Sequence, residues 1–178
     1  ILNPALCLIE TALPKAPSGG FSFKYSFGDR GEPNPTGRFI VGDNPVMDVV
    51  IPASITDGFI WVSILDVSGN VFHLLPNVNR KENSVANLRE GKAGDVPVRV
   101  TFPLGDAADP ARLAFLVDDS ALGKSKIMVL HSNGPLFDEL RPTTESAAGY
   151  AQALSDRGAP GGERVQSLDS DIIVTDRP

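Results

Sequence analysis

Residues 46–77 constrain the fold more than any other stretch, because they hold three apolar runs of strand length in close succession. The runs are Val46–Ile51, Phe59–Leu65 and Val71–Leu75, each rich in β-branched or aromatic residues and bounded by turn formers. Asp57-Gly58 offers a turn from the first run into the second. Asp66-Val67-Ser68-Gly69-Asn70 offers a tight hairpin from the second into the third. There Gly69 can take the left-handed conformation at no Cβ cost, and Asp66 can accept from backbone N–H groups ahead of it. Along the second run Ile60, Val62 and Ile64 point one way, and Phe59, Trp61 and Leu65 the other, so a central strand covered on both faces is expected. Pro76 ends the ladder. Together the runs predict the core meander of an antiparallel domain.

With 178 residues the chain is long enough for one domain with a proper core and short for two. Its 17 glycines and 15 prolines fall between the apolar runs, as a strand-and-turn protein requires. A net charge of −6 and no basic cluster larger than Arg80-Lys81 leave no electrostatic footprint for nucleic acid. No apolar stretch reaches the roughly 18–20 residues of a membrane span. The single Cys7 excludes an internal disulfide and a cysteine-based zinc cluster. The sequence opens at Ile1 with no basic n-region or cleavage site, so the expectation is a single domain, 1–178, forming a C-terminal fragment of a longer protein.

Further elements flank the central runs. Asn3-Pro4 followed by ALCLIETAL predicts a short helix, with Leu2, Leu6, Ile9 and Leu13 at helical spacing. Phe21, Phe23, Tyr25 and Phe27 alternate with polar residues and predict a strand with one buried aromatic face. Arg38–Val41 is a short extended piece. Asn77–Asp95 is a polar excursion capping one end of the sheet. Pro97–Phe102, Arg112–Val117, Lys126–His131 and Ile172–Thr175 are the remaining predicted strands. Thr143 or Thr144 caps a second helix, whose apolar stripe is Ala147, Tyr150, Ala151 and Leu154 and which Gly158 stops. The fold class is therefore mainly β: an antiparallel β-sandwich-like domain with two short flanking helices.

Residues that carry chemistry are few. His73 and His131 sit in or at the end of apolar strands, where a cross-strand structural role is the default. Cys7 could pair with either histidine as a thiolate–imidazole nucleophile, but it is expected to be a buried, inert thiol beside Leu6 and Ile9. Asp66–Asn70 lacks the alternating acids and distal glutamate of a calcium loop. Asp118-Asp119 and the Asp169/Asp171 pair are expected to be solvated. There is no phosphate loop, no GxSxG and no HExxH. A zinc site would need His73 and His131 to meet across the sheet and recruit an acid such as Asp66. No catalytic residue, metal ligand or cofactor is predicted. The predicted binding surface is the end where Leu75–Asn77 and the polar excursion emerge near Ser132–Pro135, with His73, Asn77, Asn79 and Asn83 as its polar residues.

Gly42-Asp43-Asn44-Pro45-Val46, FIWVSILDVSGNVFHLLPN, Val96-Pro97 and KIMVLHSNGPLF resemble a bacterial domain family of unknown function. That family is appended C-terminally to serine/threonine kinases and caspase-like peptidases. The likeness runs from Gly42 to Phe137 and rests on the Gly42-Asp43 turn, the strand through Trp61, Asp66, Gly69, His73 and Leu75-Pro76-Asn77, and Ser132 before Pro135-Leu136-Phe137. It implies an accessory β-domain of an extracytoplasmic or signalling protein with no assigned catalytic residues. The expected function is thus a non-catalytic module for ligand or protein binding, with a protein or peptide partner. The rivals are a cysteine/histidine hydrolase using Cys7, His73 or His131, and a structural spacer of a secretion or envelope assembly.

Overall fold

The computed structural model describes residues 16–156 and 165–178, together with Pro4 and Cys7. Apart from those two residues, the first predicted helix lies outside the described residues, as does the Gly158 stop. Among the described residues nine strands form two sheets. They are β1 (Ser22–Phe27), β2 (Arg38–Ile40), β3 (Pro45–Ile51), β4 (Phe59–Leu65), β5 (Asn70–Leu75), β6 (Val96–Thr101), β7 (Gly123–Ser132), β8 (Thr144–Ser146) and β9 (Val165–Asp176). Two α-helices are described, α1 (Val85–Arg89) and α2 (Ala147–Asp156). The smaller sheet has the order β1-β3-β6, and the larger β2-β9-β7-β4-β5-β8. All pairings are antiparallel except β2 with β9.

The alternation along β4 sorts the core into two layers. Ile60, Val62 and Ile64 face inward, against Tyr25, Met47, Val49, Ile51, Val98 and Val100 of the smaller sheet. Trp61 and Leu65 face outward, where Val71, Met128, Leu130 and Leu136 meet Ala147, Tyr150 and Ala151 of α2. The larger sheet is therefore covered on both faces, by the smaller sheet and by the helix, which is the sandwich-like arrangement expected. One of its two central strands, β4, lies between β7 and β5. A bulge sets Leu74 and Leu75 together opposite Val62, which explains why two consecutive leucines both enter the inner core.

The predicted meander holds only in part. Asp66–Asn70 is the expected hairpin: Gly69 has φ 88°, and Asp66 Oδ1 accepts from the backbone N–H groups of Ser68 and Asn70, both at 3.0 Å. The first run, however, belongs to the other sheet, because residues 52–58 carry the chain across the sandwich instead of folding β3 back on β4. Arg89 fastens that crossing. Its buried guanidinium donates to the carbonyls of Pro52, Ile55, Lys92 and Gly94 at 2.5–3.2 Å.

Two further expectations are corrected. Arg112–Val117 is not a strand. It runs as an irregular strap past the end of the smaller sheet, its backbone meeting Phe102 and Asp43 at 2.8 Å each. The buried Asn44 staples it there, donating to the carbonyls of Phe102 and Phe115 and accepting from Leu104 N–H at 2.9 Å. Thr143 and Thr144 do not cap α2. Thr144 pairs with Phe72 in β8, and Ser146 Oγ instead accepts from Gly149 N–H at 3.0 Å.

Candidate functional site

At one end of the sandwich the two sheets and the strap enclose a cavity of about 320 Å³. Met47, Ile64, Phe72, Leu74 and Ile173 line it from the sheets, and Leu113, Phe115, Leu116 and Val117 line it from the strap. Phe115 and Leu116 are 36% and 51% exposed, so the strap carries an apolar surface at the cavity's edge. Asp66 and Asp118 also line it, and each is engaged in a turn of its own: Asp66 with Ser68 and Asn70, Asp118 with Ser120. The wall is thus apolar in its depth, the chemistry of a site that takes an uncharged, hydrophobic molecule. This cavity was not named from sequence. The one signal for it was the apolar run RLAFLV, read as strand.

The predicted binding residues are placed in two environments. His73 lies on the outer face, 5% exposed, within a polar chain enclosed by the second core cluster. Its Nδ1 is 2.9 Å from Ser63 Oγ and its Nε2 is 2.6 Å from Glu145 Oε2. Glu145 also accepts two bonds from Arg141, one of them from Nε at 2.9 Å. Tyr150 bonds Ser63 in turn and stands edge-on to the imidazole at 4.7 Å.

The protonation of this chain follows from its surroundings. Burial lowers the His73 pKa, outweighing the opposite pull of Glu145. Burial would raise that of Glu145, but the bonds from Arg141 and His73 outweigh it and hold the carboxyl below its usual range. Burial pushes the Tyr150 phenol up to about 12. The neutral ring consequently donates from Nε2 to the carboxylate, and Nδ1 accepts from Ser63. The order hydroxyl–imidazole–carboxylate is that of a nucleophile triad. Here the hydroxyl is 3% exposed beneath Tyr150, and none of the three residues lines the cavity.

Asn77 and Asn83 are buried and occupied by backbone. Asn77 donates to His73 O at 2.8 Å and accepts from Asn79 and Arg80 N–H, closing the turn after β5. Asn83 donates to Ile60 O at 3.0 Å, tying the excursion to β4. Asn79 is exposed. His131 lies on the inner face opposite Ile60, so the two histidines occupy opposite faces of one sheet. No cluster of three metal-capable side chains occurs among the described residues. Cys7, expected to be buried, is exposed and belongs to neither core cluster. Asp169 and Asp171, expected to be solvated, sit in β9 rather than a loop; Asp171 is exposed as expected, whereas Asp169 is buried. Asp169 accepts from Ser18 and Gly19, and Asp171 accepts from Tyr25 OH at 2.7 Å.

Fold and cavity together define a mainly β, two-sheet domain with a helix on its outer side. No helix among the described residues is long and apolar enough to cross a membrane. Compared with family models, with curated proteins and with solved structures, the chain has no match.

Proposed function

We propose that this chain is a non-catalytic ligand-binding module, and that its site is the cavity between the sheets, holding a small apolar molecule. One observation carries the reading: an apolar cavity bounded on one side by an irregular strap with Phe115 and Leu116 at its surface. A cavity of roughly 150 Å³ lined by aliphatic and aromatic side chains takes up benzene, so about 320 Å³ suits a ligand near twice that size. The proposal keeps the setting implied by the family resemblance, an accessory domain of a larger bacterial signalling or envelope protein outside the cytoplasm. A spacer would have no use for such a space.

The test is titration with the fluorescent probe N-phenyl-1-naphthylamine, on the chain and on a Leu113→Trp variant whose indole fills the space. Saturable enhancement at one probe per chain, lost in the variant while its melting temperature is kept, is the expected result. At a hundredfold excess over Kd the probe adds about 2.7 kcal/mol, or roughly 5–11 °C for a domain of this size. Absence of saturable binding, or equal binding by the variant, refutes the reading.

A further inference from the structure

At the far end of β7 from the apolar cavity lies a second cleft, of about 410 Å³, with a different chemistry. It is lined by Asp57, Gly58, His131, Asn133, Gln166 and Ser167, with Ser18 and Gly19 at its side. His131 and Ser167 face each other across β7 and β9, 6% and 3% exposed. Among the described residues, His131 Nδ1 and Ser167 Oγ are the two buried side-chain polar atoms with no hydrogen-bond partner. Folded chains rarely leave such atoms unmatched, and both residues line the same cleft. The neighbouring buried carboxylate on the inner face of β9, Asp169, shows the usual outcome, accepting from Ser18 and Gly19.

The ring's orientation is set by its other nitrogen. His131 Nε2 lies 2.8 Å from Asp57 O, and a carbonyl only accepts, so Nε2 carries the proton there. In the neutral ring Nδ1 is then a lone pair awaiting a donor. Gly58 makes this approach of backbone to imidazole possible: a Cβ at that position would stand 2.7 Å from Nε2 and 2.3 Å from Ser132 O.

Among the described residues the cleft's one charged side chain is an acceptor, Asp57. His131 Nδ1 and the Asp57 carboxylate accept, Ser167 and the Asn133 and Gln166 amides can accept or donate, and among the described residues no lysine or arginine lines the cleft. A phosphate or carboxylate ligand meets no cation among the described residues. A metal ion would find one imidazole and one carboxylate, short of a ligand set. A primary ammonium group brings three donors and one positive charge to a lone pair, a hydroxyl and a carboxylate. We propose that this cleft binds a primary ammonium, carried by a free amine or by the N-terminus of a peptide, with His131 Nδ1 and Ser167 Oγ as its buried acceptors and Asp57 as its counter-charge.

The test follows the imidazole resonances of the chain's two histidines by NMR at constant ionic strength, assigned with His131→Gln. Glutamine keeps an amide N–H for the Asp57 carbonyl and deletes the Nδ1 acceptor. The probes are n-propylammonium, glycyl-alanine amide, its N-acetyl form and erythritol. Saturable movement of the His131 signals with the two amines, and none with the acetylated dipeptide or the polyol, is the expected result. Asp57 is exposed, so Asp57→Asn leaves the fold intact, and it should weaken binding at least tenfold. A dipeptide tenfold tighter than propylammonium assigns the site to peptide N-termini, and equal affinities assign it to free amines. No saturable shift up to roughly 100 mM amine, far weaker than any specific site, overturns the proposal. So does an equal response to erythritol, or full binding by Asp57→Asn.

Discussion

Glu145→Gln tests the polar chain on the outer face most directly, because it changes charge and donor pattern while keeping shape. The native carboxylate accepts from His73 Nε2 at 2.6 Å and from Arg141 Nε at 2.9 Å, plus a second Arg141 bond. The amide offers one acceptor and turns an N–H₂ toward a partner that also donates. Charge-assisted bonds contribute about 1.5–3 kcal/mol each, and breaking a buried pair from one side costs about 3–5 kcal/mol. The Arg141 side chain is 30% exposed and keeps part of its hydration, against 9% for Glu145 and 6% for His73. The expected loss is therefore about 2–4 kcal/mol at neutral pH. The sign with pH follows from the direction of the shift. A Glu145 pKa held below 4.5 in the fold contributes stability that is fully present above 4.5 and is lost as pH falls through the folded value. The gap between native and variant should be widest at neutral pH and close below pH 4.5. Native stability should itself decline earlier, below 6.5, because the unfolded chain takes up a proton that buried His73 resists. Urea unfolding read by the fluorescence of Trp61, the single tryptophan, at pH 7.5, 5.5 and 3.5 measures both effects. A loss under 1 kcal/mol at pH 7.5, or a gap unchanged at pH 3.5, would falsify this account.

Asn44→Ala removes the staple of the strap and leaves three backbone groups to water or to nothing; a loss of about 2–3 kcal/mol and faster proteolysis between residues 112 and 118 are expected, and native-like protease resistance would speak against it. Trp61 is half-buried, bonded to Ser132 Oγ at 2.7 Å and edge-on to Phe137 at 5.7 Å, so Trp61→Ala should cost about 2–3 kcal/mol, less than the 3–5 of a fully enclosed ring. A loss beyond 4 kcal/mol in urea unfolding would mean that the ring is a full core residue.

Local pattern predicted the strands whose outer and inner residues differ in polarity, and it failed where burial was polar. β4 and the Asp66–Asn70 hairpin were legible because alternation and a glycine turn are properties of adjacent residues. The apolar run predicts only Ile172–Thr175, but β9 spans Val165–Asp176, since its inner positions Ser167, Asp169 and Asp171 are polar and break the apolar rhythm, the two aspartates accepting from Ser18 and Tyr25. α1 was missed: five residues carry little periodicity, although Ser84, which accepts from Asn87 N–H at 3.3 Å, is the cap residue that could have flagged it. The crossing at 52–58 was read as a turn because nothing in Asp57-Gly58 states which sheet the next strand joins. The candidate sites were the least legible part. Glu145 finds His73 from the far side of the chain, and the cavity needs the strap to be something other than a strand.

The outermost strands of the two sheets are guarded, and this bears on how copies of the domain coexist. The larger sheet ends on both sides in strands of three residues, β2 and β8, too short to template a neighbour. In the smaller sheet β6 contributes Pro97, which has no N–H to offer, and Arg99, whose charge is paired with Asp48. The margin of β1 is taken up by its own following loop, where Phe27 N–H reaches Glu32 O and Asn34 N–H reaches Tyr25 O. Among the described residues these outermost strands thus offer neighbouring molecules little backbone to extend, and concentrated protein should stay free of fibrils despite its wealth of β structure.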